Sequence, residues 1–253
     1  MDPRERFTDR VASYVAARPG YPAELIELLR EECGLNPNCD VADIGAGTGI
    51  LSRMLCEVAH AVIAVEPNQA MRGAGQQYLV GFENFKVVNG SAESTNLPAT
   101  SFDLITVAQA FHWFDQKEAR HEFMRILKPN GFAAIIWNDR QYEGTPFAEA
   151  YERLLMDHGT DYADVKVRGK SANENFDRFF GHSEHKKRSI KNAQSLDRDG
   201  FVQRVVSASY MPNPEHPRYA AMISDVERVF EEFQKDGRVV IDYTTNVYYG
   251  QMS

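Results

Sequence analysis

The chain has 253 residues, 43% apolar and 25% charged, a balance that fits a folded globular protein and excludes a disordered or fibrous one. Its formal net charge of −8 opposes polyanionic partners, so a small-molecule partner is expected, with no nucleic acid and no membrane. Three cysteines without a C-x-x-C pair argue against a disulfide framework or a metal site, and no apolar run approaches the ~18 residues of a membrane span.

Met1-Asp2-Pro3-Arg4-Glu5-Arg6 is charged and lacks the apolar stretch of a secretory signal, so a cytoplasmic location is expected. A short helix around Asp9–Ala17 carries Val11, Tyr14 and Val15 on one side. Tyr21-Pro22 opens a second, in which Leu25, Ile26, Leu28 and Leu29 recur at helical spacing, and Gly34 closes it. Asp40–Ile44 reads as a buried strand that runs into Gly45, Gly47 and Gly49, and Leu51, Met54, Leu55 and Val58 mark the next helix. Ala61–Val65 is a second strand ending at Glu66, and Asn68 caps a helix to about Gln77. Phe85–Val88 and Asp103–Ala108 are the third and fourth strands. Asp115 and Glu118 start a helix to about Leu127 in the D-x-x-E manner of a capping box. Lys128–Gly131 is a turn and Phe132–Trp137 a fifth strand. Such alternation makes βαβ units around a parallel sheet.

Beyond Trp137 the rhythm changes. Phe147, Tyr151, Leu154 and Leu155 mark a helix, and the polar stretch to His185 reads as a cap whose Phe176, Phe179 and Phe180 need a packing partner. A strand near Ser189–Asn192, a helix over Arg198–Ser207, a longer one between Pro217 and Lys235, and a Val- and Tyr-rich strand over Val239–Tyr249 complete the chain. His182 and His185 lack a recognisable third ligand and read as a solvated loop, so no metal is expected.

The stretch Asp43-Ile44-Gly45-Ala46-Gly47-Thr48-Gly49 carries the most chemistry. A strand that delivers its end into glycines and then a helix brings bare backbone close to a ligand. The dinucleotide fingerprint G-x-G-x-x-G would need glycine where Ile50 stands. Asp43, two residues ahead of the first glycine, repels a pyrophosphate but suits an ammonium group, through water, and Glu66 can accept from two ribose hydroxyls.

This segment resembles motif I of the class I, Rossmann-like, S-adenosylmethionine-dependent methyltransferases. Ser91-Ala92-Glu93 resembles the family's adenine-holding element, with Glu93 accepting from the amino group. Gln109-Ala110-Phe111-His112-Trp113-Phe114-Asp115 and Arg125-Ile126-Leu127-Lys128-Pro129-Asn130-Gly131 resemble a small-molecule branch that includes trans-aconitate methyltransferases, as do Arg18–Pro22 and Val247–Gly250. The resemblance implies an α/β fold with seven strands, mostly parallel, the last antiparallel, and helices on both faces. It implies one domain over 1–253, with N-terminal helices (about 1–35) and an insertion (about 142–185) forming a lid. S-adenosyl-L-methionine is the implied cofactor, held by Asp43, Gly45, Ala46, Gly47, Glu66, Pro67, Met71, Ala92, Glu93 and Gln109, with Tyr14 and Arg18 closing over it.

Methyl transfer is an in-line displacement that chiefly needs alignment, so no catalytic triad is required. His112, just past the fourth strand, is the candidate catalytic residue, as base or orienting group; a backbone-bonded histidine is the competing reading. Trp113, Trp137 and Asn138 are candidate substrate contacts, although Trp113 would equally pack against adenine or core. The N/D-P-P-Y/F of amide- and base-nitrogen methyltransferases is absent: its place reads Ala108-Gln109-Ala110-Phe111. The reading is methyl transfer to a small molecule, an organic acid or other oxygen nucleophile first. A non-catalytic cofactor-binding sensor and a nicotinamide-dependent oxidoreductase are the alternatives.

Overall fold

Helix and strand alternate up to residue 140 as the apolar pattern requires, in a computed structural model that describes residues 18–163, 176–181 and 185–252. Helix α1 (Glu24–Cys33) buries Leu25, Ile26, Leu29 and Cys33 on one stripe and ends at Gly34, whose φ of +71° suits a residue without Cβ. Strand β1 (Asp40–Ile44) leads through the glycines to α2 (Ile50–Cys56). Strand β2 (Ala61–Val65) leads to α3 (Gln69–Tyr78), which Asn68 caps by accepting the Met71 N–H at 3.0 Å. Then come β3 (Phe85–Val88), β4 (Phe102–Ala108), α4 (Gln116–Ile126) and β5 (Leu127–Arg140).

The remaining elements are α5 (Pro146–His158), α6 (Phe176–Phe180), β6 (Lys186–Leu196), α7 (Arg198–Val206), α8 (Tyr219–Phe233) and β7 (Val239–Gln251). The expected helix at Asp9–Ala17 lies outside the described residues.

The strands form one seven-stranded sheet in the order β3-β2-β1-β4-β5-β7-β6. Pairs among β1 to β5 are parallel, and β7 inserts antiparallel to both β5 and β6. The chain winds outward from β1 in one direction and from β4 in the other, so a crevice opens between their carboxyl ends. Helices cover both faces, and strand residues divide between them with period two. Ala42, Ile44, Ile105, Val107, Ile135, Trp137 and Tyr248 pack with α4 and α6; Val41, Leu104, Ala134, Ile136, Val247 and Tyr249 pack with α1 and α2. A separate apolar cluster joins α5, α7 and α8 to the start of β7. Within the region expected to be a lid, α6 therefore belongs to the sheet core, stacking Phe176 on Tyr248 at 4.0 Å, while α5 belongs to this helical cluster.

Two strands differ from expectation. Strand β5 starts at Leu127, before the expected turn. Phe102 pairs with Leu127 but Leu104 with Phe132, so residues 128–131 bulge out with Asn130 at φ +64°. Lys128 ties the bulge down, donating to Asp103 at 2.8 Å and Asp40 at 3.2 Å. Strand β6 is longer than expected, because an edge strand exposed over most of its length carries no apolar signal.

Candidate functional site

The turn after β1 is held from beneath and from the side. Asp43, 1% exposed, accepts from Ser52 Oγ at 2.6 Å and from Thr106 Oγ1 at 2.8 Å. Burial pushes its carboxyl up to about 6, against the pull of the two hydroxyls. The Gly45 and Ala46 N–H groups donate to Val65 O at 2.8 and 3.2 Å, binding the turn to the end of β2. The expected water-bridged ammonium partner thus has both carboxylate oxygens engaged within the fold.

The three glycines share positive φ but not the same surroundings. A Cβ at Gly45 would meet Ala110 Cβ at 2.6 Å, and one at Gly49 would meet Leu79 Cδ1 at 2.6 Å. At Gly47, φ +59°, it would meet nothing within 4 Å. Only the middle glycine presents bare backbone to open space.

Glu66 sits beside that space, 8% exposed. Its Oε2 accepts the Gly47 N–H at 2.9 Å and its Oε1 the Asn68 N–H at 2.9 Å. Burial raises its pKa, while the two N–H groups and Arg72 pull it down. Each oxygen keeps a further acceptor position. Pro67 follows, its carbonyl accepting from Arg72 at 2.6 Å, and Met71 is buried in the first turn of α3.

After β3, Ala92 is buried in a loop clamped by α4. Glu122 accepts from Thr95 N–H at 2.9 Å and Thr95 Oγ1 at 2.5 Å, and Arg125 donates to Leu97 O at 2.7 Å. Arg125 first, with Thr95, holds the Glu122 carboxyl down at about 2. Glu93 accepts the Asp115 N–H at 2.9 Å. The capping box expected within α4 is therefore split: Asp115 caps Lys117 and Glu118, but the reciprocal carboxylate comes from Glu93, not Glu118.

The loop after β4 brings the remaining candidates to the same carboxyl edge. Gln109 adopts φ +59°, a strained conformation for a residue with a Cβ, and its N–H bonds to Ile136 O at 3.0 Å. His112, in a 3-10 turn over Phe111–Trp113, packs its ring 4.5 Å from Trp113 and 5.2 Å from Trp137. Trp137 is buried, whereas Trp113 is partly exposed. Asn138 donates to Gly20 O at 3.1 Å and accepts from Thr245 at 2.6 Å and Asn192 at 3.2 Å. Its amide thus fastens the segment after Arg18 across β5, β7 and β6. Tyr14 lies outside the described residues.

Comparison with known proteins bears on this geometry. A model of a methyltransferase domain matches residues 42–135, the span from β1 to β5. A Schizosaccharomyces pombe uncharacterized methyltransferase is 36% identical over 150 residues, 59% of this chain and 58% of its own length. A Geobacillus uncharacterized methyltransferase is 30% identical over 172 residues, 62% of this chain and 80% of its own length. The chain belongs to the class I S-adenosylmethionine-dependent methyltransferases. The fold agrees: a protein of Anaeromyxobacter dehalogenans named as a type II methyltransferase superimposes with a TM-score of 0.64 at 19% identity, covering 93% of this chain and 97% of that one.

Family membership sets the nicotinamide alternative aside, and S-adenosylmethionine is the cofactor of the family. The residues present fit it. The open approach to Gly47 admits backbone contact, and Glu66 beside it keeps acceptor positions of the kind a ribose diol needs. The sequence did not reveal the partners that set this methyltransferase's site. Thr106 reads as one more strand residue and Ser52 as a helix residue, until β1 and β4 pair Asp43 with Thr106 in register. Nor did it reveal the Gln109 backbone strain or the split cap.

Among the described residues no group of three or more His, Cys, Asp or Glu side chains is placed to hold a metal, and no helix is long and apolar enough to cross a membrane.

Proposed function

We propose that this methyltransferase esterifies a small organic acid, passing the methyl group of S-adenosylmethionine to a carboxylate oxygen. The observation that carries methyl transfer in this reading is the open face of Gly47 beside the Glu66 carboxylate, at the crevice where β1 and β4 diverge. Gly47 admits the cofactor, Glu66 accepts from its ribose, and the Ala92–Glu93 loop borders its adenine. When bound, S-adenosylmethionine supplies an electrophilic methyl carbon on a positively charged sulfur.

The chain's residues then have to align the acceptor and exclude water. His112 orients the acceptor, and Trp113 and Trp137 wall it in. A carboxylate is already ionised near neutral pH, so no base is needed. The net charge of −8 and the sequence Ala108–Phe111 support a small acceptor over nucleic acid. The segment after Arg18, fastened by Asn138, closes over the crevice.

The test is incubation with methyl-labelled S-adenosylmethionine and a panel of mono-, di- and tricarboxylic acids, phenols and thiols. The expected product is a methyl ester that mild alkali hydrolyses. Alkali-stable product from phenols or thiols alone would overturn the acid reading. Cofactor binding with transfer to nothing in the panel would favour a sensor.

A further inference from the structure

Helix α4 is tied at both ends to the loop that follows β3. Ser91 and Ser94 exchange N–H···O=C bonds of 3.0 and 3.3 Å, which closes a tight turn with Ala92 and Glu93 at its tip. Glu93 Oε1 accepts the Asp115 N–H at 2.9 Å, at the residue that caps the start of α4. Near the other end, Glu122 accepts from the Thr95 N–H and hydroxyl, and Arg125 donates to Leu97 O at 2.7 Å. Thr95 is fully buried, so its bonds to Glu122 are shielded from water. Loop and helix therefore form one unit.

Residues 109–115 run between the glycine turn and this unit. On the side of the turn, Ala110 Cβ lies 2.6 Å and Phe114 Cζ 3.4 Å from the point a Gly45 Cβ would occupy. Phe111 is fully buried, its ring 4.7 Å from Phe179 and 5.5 Å from Phe176, which pins the middle of the span. The outer residues have less to hold them. Trp113 is 38% exposed and Asp115 is exposed, and the bond that ties the exit of the span to the loop after β3 comes from Glu93. His112 packs against Trp113, so what fixes Trp113 fixes both candidate acceptor contacts.

The cap uses one oxygen of Glu93, and a carboxylate can accept with the other as well. The exocyclic amino group of adenine is a donor of the right kind. One side chain then answers the cofactor and the start of α4 at once. A donor on each oxygen restricts the carboxylate far more than a donor on one.

On the reading that the Ala92–Glu93 loop borders the adenine, we propose that Glu93 is a positioning residue that couples the two halves of the site. Adenine on its second oxygen locks the carboxylate in the orientation that caps α4, and this fixes the span carrying His112 and Trp113. The cofactor thereby bears the ordering cost of the acceptor side before the acceptor arrives. The acceptor is accordingly expected to bind more tightly to the cofactor-loaded protein than to the empty one, and the coupling is reciprocal.

The test reads Trp113 in the full chain by acrylamide quenching of fluorescence; Trp137, the other of the two tryptophans, is buried and contributes little. S-adenosylhomocysteine is the probe, and its inosine counterpart, with a carbonyl in place of the adenine amino group, is the control. Saturating S-adenosylhomocysteine is expected to lower the quenching constant about two-fold or more, and the saturating inosine counterpart to leave it near that of the free protein. Glu93→Gln keeps an oxygen for the Asp115 N–H but turns an NH2 toward the adenine amino group. It is expected to quench like the wild type without ligand and to show no drop when saturated. Glu93→Ala, checked for folding by circular dichroism, is expected to quench more than the wild type without ligand and likewise to show no drop. Equal protection of Trp113 in the saturated wild type and Glu93→Gln, equal protection by the two ligands, or an unchanged constant in the wild type would overturn the proposal. Weaker cofactor binding in Glu93→Gln with no change at Trp113 in any of the proteins defeats this inference alone. Equal affinity of both ligands for the wild type removes the adenine from Glu93, and the coupling with it.

Discussion

Glu66 reaches back nineteen residues to accept the Gly47 N–H at 2.9 Å, so the end of β2 fixes the middle of the turn after β1. Its other oxygen accepts from Asn68 N–H. Both contacts need acceptors, and Gln offers only one oxygen. Glu66→Gln is therefore expected to leave one buried N–H facing an NH2 group and to weaken S-adenosylhomocysteine by about 1–3 kcal/mol. Glu66→Ala should cost at least as much. Calorimetric titration of the folded variants measures both, and unchanged affinity would remove Glu66 from the cofactor site.

The glycines of the turn separate cofactor access from folding. Ala at Gly45 or Gly49 would place a Cβ 2.6 Å from Ala110 or Leu79, so both variants should melt well below the wild type. Gly47→Ala should cost about 1 kcal/mol of stability through its positive φ alone, because its Cβ enters open space. Gly47→Val adds bulk in that space and should block cofactor binding. Thermal melts paired with cofactor titrations distinguish the three positions. A Gly47→Val protein that binds normally would show that the cofactor lies elsewhere.

Asp43 gives a pH dependence whose sign is unusual for a carboxylate. Its pKa is raised from 3.8 to about 6, so the folded state holds the proton more tightly than the unfolded chain. The group therefore favours folding below pH 4, and that contribution is lost as pH rises through 6, about 2–3 kcal/mol in all. Asp43→Asn does not titrate. From pH 4 to pH 7 the stability difference between the two proteins should move in favour of Asp43→Asn by roughly that amount. Urea unfolding at both pH values measures it, and a constant difference would mean that Asp43 titrates normally.

The turn and most of the fold were legible because they are local. Asp43 to Gly49 is a continuous motif, and period-two burial separates the faces of β1, β4, β5 and β7. Contacts distant in sequence were not legible: Thr106 reaches Asp43 from 63 residues away. Edge strand β6 is polar on both sides, so only its middle stood out.

His112 is where the chemistry of the acceptor can be read from one side chain. Its ring lies between Trp113 and Trp137, a position that fixes orientation. If the acceptor is a carboxylate, His112 takes no proton, and a neutral side chain that can hydrogen-bond should replace it. His112→Gln is then expected to keep turnover within about three-fold, while His112→Ala lowers kcat/KM about ten-fold, or ~1.4 kcal/mol, with cofactor affinity unchanged. A general base behaves differently: both variants would lose roughly 10²–10⁴-fold, and the wild-type rate would rise with pH through the histidine range. Steady-state kinetics across pH 5–8 with the accepted acid decides between them, and a loss in His112→Gln as deep as in His112→Ala would replace the carboxylate acceptor with one whose proton must be removed.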